Sequence, residues 1–191
     1  MSAAQVRGQQ RRSAILDAAT SLLFGSGMSA VTHRQVAAAA NVPLGSIRYY
    51  FSTREDLLLA AVDRLETERS LAADKALVEA SESATPREAA ELFLLAFYGP
   101  DLSDRRLAGY VGIVVDCSRE SERLSLRMRE HRQIMDRQLR DLLDACGYRH
   151  VPVSLATAVV DGSLLNAAAL RLSDLANIAV QELTPLLTRS G

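Results

Sequence analysis

The sequence predicts an all-α fold of about nine helices, and three observations lead there. Its 191 residues are rich in Ala, Leu, Arg and Glu and poor in Thr, Ile and aromatics, a helix-favouring balance. Apolar residues recur at helical spacing along much of the chain. Cap, proline and glycine signals divide these stretches into segments of helical length. A hydrophobic content of 48% with 24% charged residues belongs to a packed globular chain, not a disordered one.

In 13–24, Ile15, Ala18, Ala19, Leu22 and Leu23 form one apolar stripe, a first helix that Gly25 and Gly27 end. Thr32 and Gln35 have capping-box spacing, flanked by Val31 and Val36 at the staple positions, so a second helix starts at Thr32 and stops near Ala40. Asn41 enters left-handed backbone space cheaply, and Pro43 suits the first turn of a third helix running to about Tyr50. Ser52 and Glu55 repeat the box and open a long fourth helix to about Glu82. Thr85-Pro86-Arg87-Glu88 starts a helix over 86–98, which Gly99-Pro100 stops. Further helices are expected over 103–118, 121–146, 152–171 and 173–188, with Pro185 kinking or shortening the last.

No apolar run approaches the ~18 residues of a membrane span. The polar, basic stretch Met1 to Arg12 precedes no uninterrupted apolar segment with a cleavage site, so a cytoplasmic protein without a secretory signal is expected. Cys117 and Cys146, an isolated pair, suit neither a zinc site nor a disulfide scaffold and are expected as buried, reduced thiols. No metal or other cofactor is expected.

Charge divides the chain. Residues 1–54 carry six arginines and one acid, Asp17, a net +5; the remainder carries 16 basic and 22 acidic residues, a net −6. Two accounts fit: a polyanion-binding head on a different module, or a solvated basic face. The same choice applies to Arg7, Arg11 and Arg12, as a solvated tail or as an arm that follows phosphates or enters a minor groove.

The two short helices of 32–50 carry the most information. Val36, Ala40, Val42 and Ile47 make a small core against the first helix, and Ala37 permits close approach. Pro43, Leu44, Ser46, Arg48 and Tyr49 are left to point outward. Seven or eight residues at 1.5 Å rise make a rod of about 10–12 Å, which fits a major groove about 12 Å wide. Gly45 costs roughly 1 kcal/mol inside a helix, and close approach to DNA is a reason to keep it.

THRQVAAAANVPLGSIRYYFSTREDLL, with AILDAATSLLFGSGMSAVT before it, resembles the DNA-binding region of the TetR (tetracycline-repressor-like) family of bacterial regulators over about residues 10–62. The resemblance rests on Thr32, Val36-Ala37, Ala40-Asn41-Val42, Gly45, Tyr50-Phe51 and Arg54-Glu55 with Leu57. Asn41 replaces the family's usual turn Gly, Arg54 a phosphate-binding Lys, and Arg48 a common Tyr. The resemblance implies that Thr32, Tyr49, Tyr50 and Arg54 hold phosphates, while Arg34, Pro43, Leu44, Gly45, Ser46 and Arg48 face the groove. Tyr50 and Phe51 also suit plain core packing.

Two domains are expected: a helix-turn-helix DNA-binding domain over 1–52, and a helical ligand-binding and dimerisation domain over 53–191. The resemblance implies a cavity in the second, and Phe93, Phe97, Tyr110, Val114, Cys117, Met128, His131 and Met135 are its candidate lining; a filled core is the competing account of each. The last two helices are apolar on more than one face, with small Gly162, Ala167, Ala168, Ala169, Ala176 and Ala179. They imply a homodimer through that pair, and hence a near-palindromic double-stranded DNA operator.

The expected function is a sequence-specific transcriptional repressor released from DNA by a small-molecule effector. An activator of the same fold and a ligand-independent DNA-binding protein are the alternatives. An enzyme is not expected. GSGMSA at 25–30 follows a helix where a Rossmann fingerprint needs a strand; G-x-S-x-G and H-E-x-x-H are absent, and His33, His131 and His150 lie far apart in sequence.

Overall fold

The structure is a computed structural model that describes residues 3–188. Residues 1–2 and 189–191, the outermost ends of the two expected domains, lie outside the described residues. Nine α-helices and no strand occur among those described: α1 (Ala3–Ser26), α2 (His33–Ala39), α3 (Leu44–Tyr50), α4 (Arg54–Glu79), α5 (Pro86–Tyr98), α6 (Asp104–Glu120), α7 (Glu122–Ala145), α8 (Val153–Ala169) and α9 (Leu175–Leu183). Short 3-10 turns follow α1 at Met28–Ala30 and α9 at Thr184–Leu187. Pro185 falls in the second, so α9 is shortened as its position predicts.

Several boundaries follow the local chemistry. Thr32 caps α2, its hydroxyl oxygen accepting the Gln35 amide at 3.2 Å. Asn41 takes φ 51°, which turns the chain between α2 and α3. Thr85 and Glu88 complete a reciprocal capping box with Pro86 in the first turn of α5, and Gly99 closes that helix at φ 89°.

Three expectations need correction. The cap of α4 is Thr53 with Asp56, not Ser52 with Glu55: the Thr53 hydroxyl accepts the Asp56 amide at 3.0 Å, and the Asp56 carboxylate accepts the Thr53 amide at 3.2 Å and the Ser52 hydroxyl at 2.7 Å. Helix α4 ends at Glu79, not Glu82. Helix α1 begins about ten residues before the expected start at 13, so Arg7, Arg11 and Arg12 lie on its first turns. None of residues 5–14 is buried, so an apolar period could not have marked this segment.

The chain divides into two compact units, Met1–Leu65 with Gly112–Met128, and Glu66–Val111 with Arg129–Gly191. As a packing unit the first thus runs past the expected boundary at 52/53 and takes in the α6–α7 corner. Its core includes Ile15, Ala19, Leu23, Val31, Val36, Ile47, Phe51, Leu57 and Leu58, all buried. In the second unit, α5, α8 and α9 surround Phe93, Leu94, Leu139, Leu142, Tyr148 and Leu164. Helix α9 has no side-chain cap of its own. Asp104 of α6 supplies one, accepting the Asp174 and Leu175 amides at 3.0 and 2.8 Å.

Candidate functional site

Helices α2 and α3 are seven residues each, too short to persist alone. Tertiary packing holds them: α1 lies against α2, and α2 against α3. Val36, Ala37 and Ile47 are buried, while Ala40 and Val42 are half-buried at the margin. Burying Ile47 stabilises the pair by about 1.5–3 kcal/mol.

The outward face is the one the sequence indicates. Pro43, Leu44, Gly45, Arg48 and Tyr49 are exposed, Leu44 at 38% and Tyr49 at 82%; Ser46 is half-exposed, and Arg34 is exposed on α2. No atom lies within 4 Å of where a Cβ on Gly45 would stand. Nothing within the described chain therefore demands glycine there. Thr32 is half-exposed at the start of α2. Tyr50 is half-buried, its ring edge-on to Tyr49 at 5.1 Å and its hydroxyl 3.6 Å from the place of a Gly8 Cβ. Phe51 is core, with the Arg12 guanidinium 5.4 Å above its ring.

Arg54, expected to hold phosphate, makes three contacts within the chain. Its Nε donates to the Val31 carbonyl at 2.9 Å, one terminal nitrogen donates to the Met28 carbonyl at 2.8 Å, and the other pairs with Glu120. The guanidinium thus pins the α1–α2 connector to α4 and to the end of α6. Arg123 extends this tie, pairing with Glu55 at 2.6 Å and Asp56 at 3.4 Å. Asp56 is pulled down to about 2, first by the Ser52 hydroxyl and then by its bonds to Thr53. Glu55 is lowered as well, by Ser121 and then Arg123.

Of the eight candidate ligand residues, five lie in the second unit and three in the first. Phe93 and Phe97 are buried in the second unit, with Tyr110 and Met135 packed partly buried against that core and His131 half-buried. Val114, Cys117 and Met128 belong to the first unit. Val114 is 50% exposed. Cys117 is fully buried, its thiol pushed up to about 12, chiefly by burial. Neither cysteine is in a disulfide. An open groove of about 630 Å³ in the second unit is lined by Glu79, Ser81, Ser83, Ala84, Glu88, Glu91, Leu92, Leu95 and Leu102, none of them a candidate residue.

The second unit also holds polar groups that sequence reasoning missed. The rings of Phe97 and Tyr98 stand 4.5 Å apart, and those of Tyr98 and Tyr110 5.2 Å. The Tyr98 hydroxyl donates to Asp161 of α8. Burial raises both groups above their ordinary values, and it raises Tyr110 to about 12. Arg132 donates to Thr157 at 2.9 Å, pairs with Asp136 at 2.7 Å and lies 5.9 Å from the centre of the Phe97 ring. The available signal was Asp161 itself, a lone carboxylate inside the apolar run of α8.

Comparison with known proteins agrees with this geometry. Residues 15–61, covering the second half of α1, all of α2 and α3 and the start of α4, match the model described as "Bacterial regulatory proteins, tetR family". The HTH-type transcriptional regulator BetI of Rhizobium meliloti (strain 1021) is 28% identical over 113 residues, 59% of this chain and 54% of that protein. The chain thus spans about half the length of that curated relative. Among solved structures, a TetR-family member of Streptomyces coelicolor A3 shares the fold at a TM-score of 0.70 and 24% identity, over 94% of this chain and 99% of that one. The multidrug binding protein EbrR, solved with ethidium, aligns at a TM-score of 0.60 and 29% identity, over 92% of this chain and 97% of its own. No helix of the described residues is long and apolar enough to cross a membrane. Residues 15–61 thus match the helix-turn-helix region of the TetR family of bacterial regulatory proteins, and the chain shares the all-helical fold of these solved structures over more than nine-tenths of its length.

Proposed function

We propose that this chain is a cytoplasmic, sequence-specific transcriptional repressor, released from its DNA by a small molecule. The observation that carries the DNA-binding part is the exposed face of α3. Pro43, Leu44, Gly45, Arg48 and Tyr49 stand in solvent on a helix anchored from behind by buried Ile47. Arg48 and Arg34 read base edges, and Thr32, Tyr49 and Tyr50 hold phosphates. Arg54 acts on DNA indirectly, because its guanidinium fixes the entry into α2.

The effector part rests on a similar protein and on an aromatic group in the second unit. EbrR, at 29% identity, was solved with ethidium and, in another structure at 26% identity, with malachite green. In this chain the aromatic group of Phe93, Phe97, Tyr98 and Tyr110 with Asp161 offers apolar surface and a few polar atoms, the makeup of a small-molecule site. Helices α4, α6 and α7 each run from one unit into the other. A ligand that prefers one arrangement of those helices therefore biases the helix-turn-helix through the Arg54–Glu120 and Arg123 ties. It does so only to the extent that its affinity differs between the two arrangements. Homodimerisation through α8 and α9 fits exposed Leu155 and Leu165 of α8, with Leu170 and Leu172 just beyond it. The operator is then near-palindromic, with half-sites about 34–36 Å apart or a multiple.

The test is DNA binding by the purified chain, on the duplex upstream of its own gene and on a scrambled duplex at two salt concentrations. A preference of about a thousandfold or more for the native duplex is expected, with steep weakening by salt. In the same assay Arg48→Ala should lower that preference by about 1–3 kcal/mol. Arg54→Ala should weaken both duplexes alike. Salt-insensitive binding, or none to any genomic fragment, would overturn the proposal.

A further inference from the structure

The first three turns of α1 carry Arg7, Arg11 and Arg12 and no acid; the first acidic residue of the chain is Asp17, which pairs with Arg64 at 2.9 Å. None of residues 5–14 is buried, and the apolar contacts of α1 begin at Ile15. This helical extension therefore adds almost nothing to the core. It lies beside the C-terminal end of α3: Gly8 faces the Tyr50 hydroxyl, and the Arg12 guanidinium covers the Phe51 ring. Arg7 and Arg11, one helical turn apart, adjoin those two contact positions and are both exposed. Tyr49, at the same end of α3, is the most exposed aromatic residue of the proposed DNA face.

We infer that the extension of α1 is a second phosphate-binding line, continuous with α3, in which Arg7 and Arg11 neutralise DNA phosphates beyond those held by Thr32, Tyr49 and Tyr50. The occupant is the sugar–phosphate backbone of duplex DNA. Charge complementarity argues for it, as does continuity with the face of α3, and the inference rests on the proposed DNA-binding function. Guanidinium groups on an exposed helix suit phosphate, which they engage in a bidentate fork. Such contacts release counterions and set position without reading sequence.

The double variant R7A/R11A tests this. Alanine keeps the helix, and Arg12 is retained because it packs on Phe51. Binding is measured on the duplex upstream of the gene and on a scrambled duplex, from 50 to 200 mM salt. The slope of log K against log salt should fall by about 1.8 for each protomer, about 3.6 for a dimer on two half-sites, so that this rise in salt weakens the dimeric variant about 150-fold less than the unaltered chain. Both duplexes should lose affinity by the same factor, and R7K/R11K should recover most of the slope. R137A/R140A, which removes the same charge from exposed positions on α7, should leave the slope unchanged. An unchanged slope in R7A/R11A, or an equal fall in R137A/R140A, would overturn the inference while leaving the DNA-binding function standing. No salt-dependent binding by the unaltered chain would overturn both.

Discussion

Arg54, Arg64 and Arg123, in the unit that carries α2 and α3, make their ion pairs with side chains 32 to 60% exposed; Arg69, in the other unit, makes its pair at 5%. Exposed pairs contribute about 0–1 kcal/mol each and weaken with salt. A buried charge losing its partner costs several times more. Arg69 is also tied on every side. It holds Glu66 through two bonds of 2.8 and 2.7 Å, Gln138 at 2.6 Å and the Ala96 carbonyl at 2.8 Å. That carbonyl would ordinarily accept the amide four residues on, but Pro100 has none. The second unit has exposed pairs as well, Arg87 with Glu91 among them, so the contrast lies in Arg69, a charge fixed inside, against the solvent-facing ties of Arg54 and Arg123.

The largest test of this contrast compares Glu66→Ala with Glu120→Gln. Removing Glu66 strands the buried Arg69 charge and should cost about 3–5 kcal/mol of unfolding free energy. Glu120→Gln breaks an exposed pair and should cost less than about 1 kcal/mol. Urea denaturation followed by circular dichroism measures both. Comparable losses would break the contrast.

Acid sharpens it next, because one carboxylate from each unit has the opposite sign. Asp56 is held down at about 2 by the Ser52 and Thr53 bonds, so the α4 cap stabilises the fold above about pH 4 and is lost as pH falls toward 2. Asp161 is raised, chiefly by burial, so its protonated form suits the fold. Its contribution is most favourable below about pH 4 and is lost as pH rises through its folded value. Urea midpoints between pH 2 and 6 should therefore lose part of their rise in Asp56→Asn. In Asp161→Asn they should rise more steeply than in the unaltered chain. The same sign in both variants would mean that the two carboxylates do not differ as burial and hydrogen bonding require.

What the sequence made legible divides by the reach of each group, in both units alike. Asn41, Thr85-Pro86 with Glu88, and Gly99 act on their own backbone, and each occupies the turn or cap its spacing indicates. The outward set on α3 was legible because Ile47 and Val36 settle which way that helix faces. Groups whose partners are distant in sequence were not. Local spacing cannot show that Arg54 reaches Met28, Val31 and Glu120, that Asp104 caps α9, or that Arg69 serves the Ala96 carbonyl. At Thr53 a neighbouring competitor decides the outcome. Asp56 takes the cap, while Glu55 pairs with Arg123. For the candidate ligand residues, residue type and an implied cavity give no depth, which is why exposed Val114 stands with buried Phe93 in one set.

The smallest predicted effect separates stability from function within one residue. Gly45 lies inside α3, where glycine is about 0.5–1 kcal/mol less favourable than alanine, and no atom stands within 4 Å of the added methyl. Gly45→Ala should therefore stabilise the isolated chain by up to that amount, read as a small rise in urea midpoint. The same methyl would project from the exposed face into the groove that α3 is proposed to enter, so operator affinity should fall while the fold strengthens. A variant more stable and equally tight on DNA would show that α3 does not approach the duplex at Gly45. One less stable would show that the helix is strained in a way its open surroundings do not reveal. Opposite signs in the two measurements would mark the glycine as kept for a partner outside the chain, at a cost in stability.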